Sequence, residues 1–187
     1  MITANNVRRG LAIQYRNDVF EITDFQHVKP GKGSAFVKMK LKSMTTDRTL
    51  EDSVRPEDKL EDLYMTEKKF EYLYSQGEDT YVFMDLTTYD QIEIEKAKVA
   101  HVLPYLKENM EVTAKENGGN LYGIHLPNSV ELKVVETTPN FKGDTSGGGK
   151  PATLETGAVV NVPFFLQEGE IIRVDSRTGE YLGRAKE

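Results

Sequence analysis

The sequence predicts an all-β chain of three small barrels, and three observations carry that prediction. Apolar and polar residues alternate with period two through most of the 187 residues, as they do in strands with one buried face. Turn-forming residues break the alternation at short intervals, which favours hairpins over long crossovers. The strand runs fall into three groups of about 60 residues, a size at which burial is marginal, so each must be a closed or nearly closed barrel, SH3-like or OB-like. A composition of 38% hydrophobic and 29% charged residues places the chain among globular rather than disordered proteins.

In the first group, expected at residues 1–64, Leu11, Ile13 and Tyr15 alternate with smaller or polar residues. Arg16-Asn17-Asp18 then reverses the chain into Val19 to Ile22, making a hairpin. Next comes Lys29-Pro30-Gly31-Lys32-Gly33-Ser34-Ala35-Phe36. Proline fixes φ and both glycines permit positive φ, so this run reverses the chain tightly and leaves Lys32 at its apex. Beyond it Ala35, Val37, Met39 and Leu41 share one face of a strand, while Lys38, Lys40 and Lys42 share the other as a row of positive charge suited to phosphate. Thr45 to Asp62, interrupted by Arg55-Pro56, fits late strands and a connector.

The second group, 65–128, begins with Phe70, Tyr72 and Tyr74, turns at Ser75-Gln76-Gly77-Glu78-Asp79 and returns through Tyr81 to Met84. Gln91 to Leu106 is the best helical candidate, with Ile94, Ala97, Val99, Ala100 and Leu103 available for a buried side and Pro104 bending or dividing it. A hairpin follows from Met110 to Leu126 around Asn117-Gly118-Gly119-Asn120, and Pro127-Asn128 marks a boundary. The third group, 129–187, starts with alternating Val130, Leu132 and Val134 and passes through a Gly/Thr-rich loop from Glu136 to Lys150. It resumes at Val159 and again at Ile171, with a last turn at Ser176-Arg177-Thr178-Gly179 before Tyr181.

The net charge of -6 argues against a nucleic-acid partner, but its distribution matters more. Residues 1–46 hold eight Lys/Arg against three acids, residues 65–128 six against eleven, and residues 129–187 seven against nine. That is a basic head on an acidic body, able to bring one end to phosphate while the rest avoids indiscriminate binding.

The parts of an enzyme do not assemble. There is no cysteine, hence no disulfide, thiol nucleophile or thiolate metal site, and a reducing, cytoplasmic setting fits. Met1 to Gly10 lacks the apolar core of a signal peptide, and no uncharged stretch approaches the ~20 apolar residues of a membrane span, so a soluble, unsecreted protein without membrane attachment is expected. His27, His101 and His125 lie far apart with no metal-type spacing, and no Gly-x-Ser-x-Gly elbow is present. The cluster ending at Lys150 fails the Walker pattern twice, with Asp144 where glycine and Pro151 where Ser/Thr is needed. Paired carboxylates of the glycosidase kind can be picked from any acidic chain and single nothing out. No catalytic residue, metal or cofactor is therefore expected.

The apical run Lys29 to Phe36 resembles the tip of the bacterial elongation factor P family. The stretch Lys150-Pro151-Ala152-Thr153-Leu154-Glu155-Thr156-Gly157-Ala158-Val159-Val160-Asn161-Val162-Pro163-Phe164-Phe165, followed by Gly169-Glu170 and Gly179-Glu180-Tyr181, is similar to that family's C-terminal signature nearly throughout. Two distant motifs in the correct order, a matching length and three β units extend the resemblance over the whole chain. It implies an L-shaped, tRNA-like arrangement of an SH3-like (KOW-like) domain and two OB-like domains. It also implies a monomeric, cytoplasmic translation factor without turnover of its own, bound to the 70S ribosome between the peptidyl-tRNA and exit sites and relieving stalling at consecutive prolines. Lys32 then reaches toward the peptidyl-transferase centre, supported by Lys29, Pro30, Gly31, Gly33 and Ser34, and orders the peptidyl-site tRNA. The loop containing Gly143, Asp144, Thr145, Gly147 and Gly148 then faces the small subunit and the exit-site mRNA codon. In many family members a dedicated enzyme lengthens the tip lysine with a lysine-derived or aminopentanol-type group; Lys32 excludes the rhamnosylated-arginine variant and leaves the other two open. A paralogous group departs at the tip, where this chain keeps Pro-Gly-Lys-Gly. A single-stranded-RNA-binding OB protein and, more remotely, a hydrolase are the alternatives from other classes.

Overall fold

The structure is a computed structural model that describes residues 1–139 and 148–185. Strand accounts for 55% of the chain and helix for 6%, so the all-β expectation holds. The chain divides into two compact units, Met1–Lys68 with Ala114–Gly123, and Lys69–Thr113 with the described residues from Ile124 onward.

The first unit contains β1 (Ile2–Thr3), β2 (Ala12–Tyr15), β3 (Asp18–Val28), β4 (Phe36–Ser43), β5 (Thr49–Val54) and β6 (Lys59–Leu63). They form one antiparallel sheet in the order β1-β6-β2-β3-β4-β5. The period-two pattern is what folds β4: Val37, Met39 and Leu41 are fully buried with Ile13 and Ile22, and the lysines between them face out. In β3 the register slips between Ile22 and Asp24, so Thr23 is a bulge residue; its hydroxyl donates to the Lys40 carbonyl at 3.1 Å. The Ala114–Gly123 hairpin packs here too. Lys115 Nζ meets Glu21 Oε2 at 2.8 Å, the Gly123 N–H donates to the Met44 carbonyl at 2.9 Å, and Tyr122 lies against Ala12, Val19 and Met44.

The second sheet comprises β7 (Thr66–Gln76), β8 (Thr80–Asp85), β9 (Gln91–Glu95), β10 (Glu111–Asn117) and β11 (Asn120–His125), in the order β11-β10-β7-β8-β9. Here one expectation fails. Gln91 to Leu106 is not a single helix, because Gln91–Glu95 is a strand paired with β8; only Lys96–Val99 (α1) and a 3-10 turn at Leu103–Tyr105 are helical. Ile92 and Ile94 between Gln91, Glu93 and Glu95 are a period-two signal, which edge pairing rewards over a helical reading.

The third sheet comprises β12 (Ser129–Thr137), β13 (Lys150–Leu154), β14 (Val159–Val162), β15 (Ile171–Asp175) and β16 (Tyr181–Arg184), in the order β14-β13-β12-β15-β16. Its outer strands β14 and β16 come together, curling the sheet toward closure around Leu132, Val134, Leu154, Leu166, Ile172 and Val174. Tyr105, Met110 and Leu126 pack against this core. Thr156 donates to the Pro104 carbonyl and Lys107 pairs with Glu155 at 3.0 Å. Burial pushes the Glu155 carboxyl up, but the Lys133 N–H and the Lys107 ammonium outweigh it and leave the group below its usual range.

The same six-residue corner occurs once in each sheet, at Ser43–Arg48, Asp85–Asp90 and Asp175–Glu180. In each, the first N–H donates to the sixth carbonyl and the fifth N–H to the first carbonyl. The first side chain, Ser43, Asp85 or Asp175, accepts from the third and fourth N–H groups. The fifth residue has positive φ: Asp47 at 63°, Tyr89 at 64°, Gly179 at 76°. At Gly179 a Cβ would also lie 2.6 Å from the Tyr105 hydroxyl, so a larger residue there would have to move that side chain as well as adopt the strained φ.

Candidate functional site

The candidate site is the tip of the β3–β4 hairpin. Strand pairing runs out to Val28 and Phe36, and the loop between them makes no turn hydrogen bond among the described residues. Lys29, Pro30, Gly31, Lys32, Gly33 and Ser34 are exposed, and neither Lys29 nor Lys32 has an ion-pair partner among the described residues. Lys32 lies midway along the segment that joins β3 to β4. Of the two glycines, only Gly33 uses positive φ, at 116°. A Cβ there would sit 3.6 Å from Pro30 Cγ, an ordinary contact, so the demand for glycine is conformational rather than steric.

One ion pair ties β3 to the segment before β2 below the tip, and one ring contact lies along β3 itself. Arg9 holds Asp24 with its guanidinium, Nε at 3.0 Å, and with the Phe25 N–H this keeps the Asp24 carboxyl below its usual range. Phe25 and His27 meet edge to face at 5.6 Å. No spacing in the sequence signals the Arg9–Asp24 pair, because it depends on the β3 bulge and on a loop fold.

Lys38, Lys40 and Lys42 lie in a row on the outer face of β4, as expected, yet each has a carboxylate beside it. Glu51 on β5 takes Lys38 at 2.8 Å and Lys40 at 3.5 Å, and Asp47 takes Lys42 at 2.8 Å. The Lys38 hydrogen bond, then its charge, holds Glu51 below the usual range. The acids come from residues 47–64, which carry Arg48, Arg55 and Lys59 against Asp47, Glu51, Asp52, Glu57, Asp58, Glu61 and Asp62. The basic balance of residues 1–46 is thus largely cancelled within its own sheet, and the tip stands out as cation without counter-ion.

Of the glycine loop, Gly143, Asp144, Thr145 and Gly147 lie outside the described residues; Gly148 is exposed. The structure brings together two histidines that are distant in sequence: His101 and His125 rings are 6.5 Å apart, and His101 Nε2 lies 2.7 Å from the Ile124 carbonyl. Among the described residues, no three His, Asp or Glu are arranged to hold a metal ion, and no helix is long and apolar enough to cross a membrane.

Comparison with known proteins decides the family. Residues 3–60 match the elongation factor P KOW-like domain, 65–124 the elongation factor P OB domain, and 130–184 the elongation factor P C-terminal domain. Over 186 residues the chain is 47% identical to elongation factor P of Moorella thermoacetica, covering 99% of this chain and all of that one. The chain belongs to the elongation factor P family. Elongation factor P of Thermoanaerobacter sp. is 49% identical over 185 residues, covering 98% of this chain and all of that one. A solved structure of eukaryotic translation initiation factor 5A from Methanococcus jannaschii is 22% identical with a TM-score of 0.49, covering 67% of this chain and 93% of that one. The KOW-like match spans the whole tip hairpin, so Lys32 sits inside the family's first domain.

Proposed function

We propose that this translation elongation factor promotes peptide-bond formation between difficult residues, above all consecutive prolines, by presenting Lys32 to the acceptor end of the peptidyl-site tRNA. Family membership gives the elongation role and the interaction with the ribosome. The observation that carries the rest is the exposed, unpaired Lys32 at the end of the β3–β4 hairpin.

The chemistry is positional. Proline is a poor peptidyl donor and acceptor because its ring restricts the backbone, so ordering the peptidyl-tRNA recovers reactivity through orientation without any covalent step on the factor. An ammonium on an extended arm supplies charge-assisted hydrogen bonds to phosphate and 2′-hydroxyl groups. A modifying enzyme that lengthens Lys32 needs access to it, and its exposure supports that. The reading keeps three modules, 1–64, 65–128 and 129–187, supported by sheets at 2–63, 66–125 and 129–184. It takes the factor to be a cytoplasmic monomer seated between the peptidyl-tRNA and exit sites, with the 143–148 loop toward the mRNA codon.

The test is Lys32→Ala in a polyproline reporter. Synthesis across the proline run is expected to fall at least tenfold while a proline-free control is unchanged; equal polyproline yield from both proteins overturns the reading.

A further inference from the structure

Lys150 has no place in the account above. It is the first residue of β13, and only 4% of it is exposed, although lysine is almost never buried without a paired charge. Its Nζ donates to the Thr138 carbonyl at 2.7 Å, and among the described residues no carboxylate pairs with it. One of its three donors is thereby used. Lys150 also lines a cleft of about 450 Å³, together with Thr137, Thr138, Pro139, Gln167 and Glu168.

The walls of this cleft are held in place. A Cβ on Gly149 would fall 2.5 Å from the Val162 carbonyl oxygen and 2.7 Å from Asn161 Oδ1, so the backbone leading into Lys150 is pressed against β14 where only glycine fits. Across the cleft, the Thr137 hydroxyl donates to the Pro151 carbonyl at 2.9 Å and its N–H to Glu168 Oε1 at 3.2 Å. A buried cation without a counter-ion is costly, and one that lines a preformed cleft with two of its three donors unspent among the described residues is suited to an anion. Glu168 spends one carboxylate oxygen on the Thr137 N–H and does not pair with the ammonium.

We infer that the Lys150 cleft is an oxyanion site that takes a phosphate group. Two sources share that chemistry, an RNA phosphodiester and free phosphate. The first rests on the ribosome-binding reading; the second is independent of it.

The full chain is melted in sodium phosphate and in sodium chloride of equal ionic strength, beside Lys150→Met. At tenfold excess over the dissociation constant, phosphate is expected to raise the wild-type melting temperature by about 4 °C and to leave Lys150→Met unmoved. An equal rise in both proteins, or none in either, overturns the site. Should Lys150→Met fail to fold, amide shifts in the wild type decide: perturbations centred on Thr138, Lys150 and Gln167 uphold the site, and scattered or absent ones refute it. A short single-stranded RNA that reproduces those shifts and is displaced by phosphate identifies a phosphodiester; shifts with inorganic phosphate alone identify the free ion. Since these arms use no ribosome, their failure leaves the Lys32 reporter result standing, and the reverse.

Discussion

Gly33 and Tyr89 both occupy positive φ, and they meet its cost differently. Glycine at 33 takes 116° without penalty and keeps the tip open. Tyr89 is an aromatic residue at 64°, a region that disfavours bulky side chains, and it is 70% exposed, so packing returns little of the strain. Tyr89→Gly is expected to stabilise the fold by about 0.5–1 kcal/mol, read as a higher midpoint in urea with an unchanged slope; a lower midpoint would mean that the ring packs more usefully than its exposure implies. Lys32 is the opposite case. It is exposed and has no ion-pair partner among the described residues, so Lys32→Ala should melt within about 1 °C of the wild type while losing polyproline synthesis. A large loss of stability would recast Lys32 as a structural residue.

At the scale of single elements, the six-residue corner at Asp175–Glu180 carries a pH signature. The Arg177 side chain, then the Arg177 and Thr178 N–H groups, bring the Asp175 carboxyl down from its usual 3.8 to about 2. Because the folded value is the lower one, the carboxylate's contribution is complete above the unfolded value and is lost as pH falls through about 2. Melting temperature followed from about pH 5 to pH 2 should fall for the wild type, and less for Asp175→Asn, which starts lower and has no carboxylate to titrate. Parallel curves would show that the corner does not depend on the charge. The β9 segment teaches a related point: Gln91–Glu95 was open to a helical reading because Ala97, Val99 and Ala100 follow it, and only pairing with β8 selects the strand.

Across the whole molecule, charge is arranged by folding as much as by sequence. The lysine row was legible because alternation fixes faces, but its carboxylate partners come from β5 and the adjoining corner, which only the sheet brings alongside. Glu51→Gln releases both Lys38 and Lys40, so RNA affinity of the isolated chain should rise, with a salt slope steeper by about one to two; unchanged slopes would mean the row meets no phosphate. The tip and the Asn117-Gly118-Gly119-Asn120 hairpin could be read directly, since glycine and proline act within a few residues. Lys150 could not, because a lysine in sequence reads as surface, and its burial and its bond to the Thr138 carbonyl appear only in the fold. The repeated corner was also hidden, its common thread being a threonine at the fourth position, Thr46, Thr88 and Thr178, between otherwise unlike residues. That repetition makes the chain its own calibration set. One backbone circuit is wired three times with aspartate, tyrosine and glycine at the same left-handed node, so exchanging those three side chains among the corners separates what a conformation costs from what its surroundings return, with no second protein needed for reference.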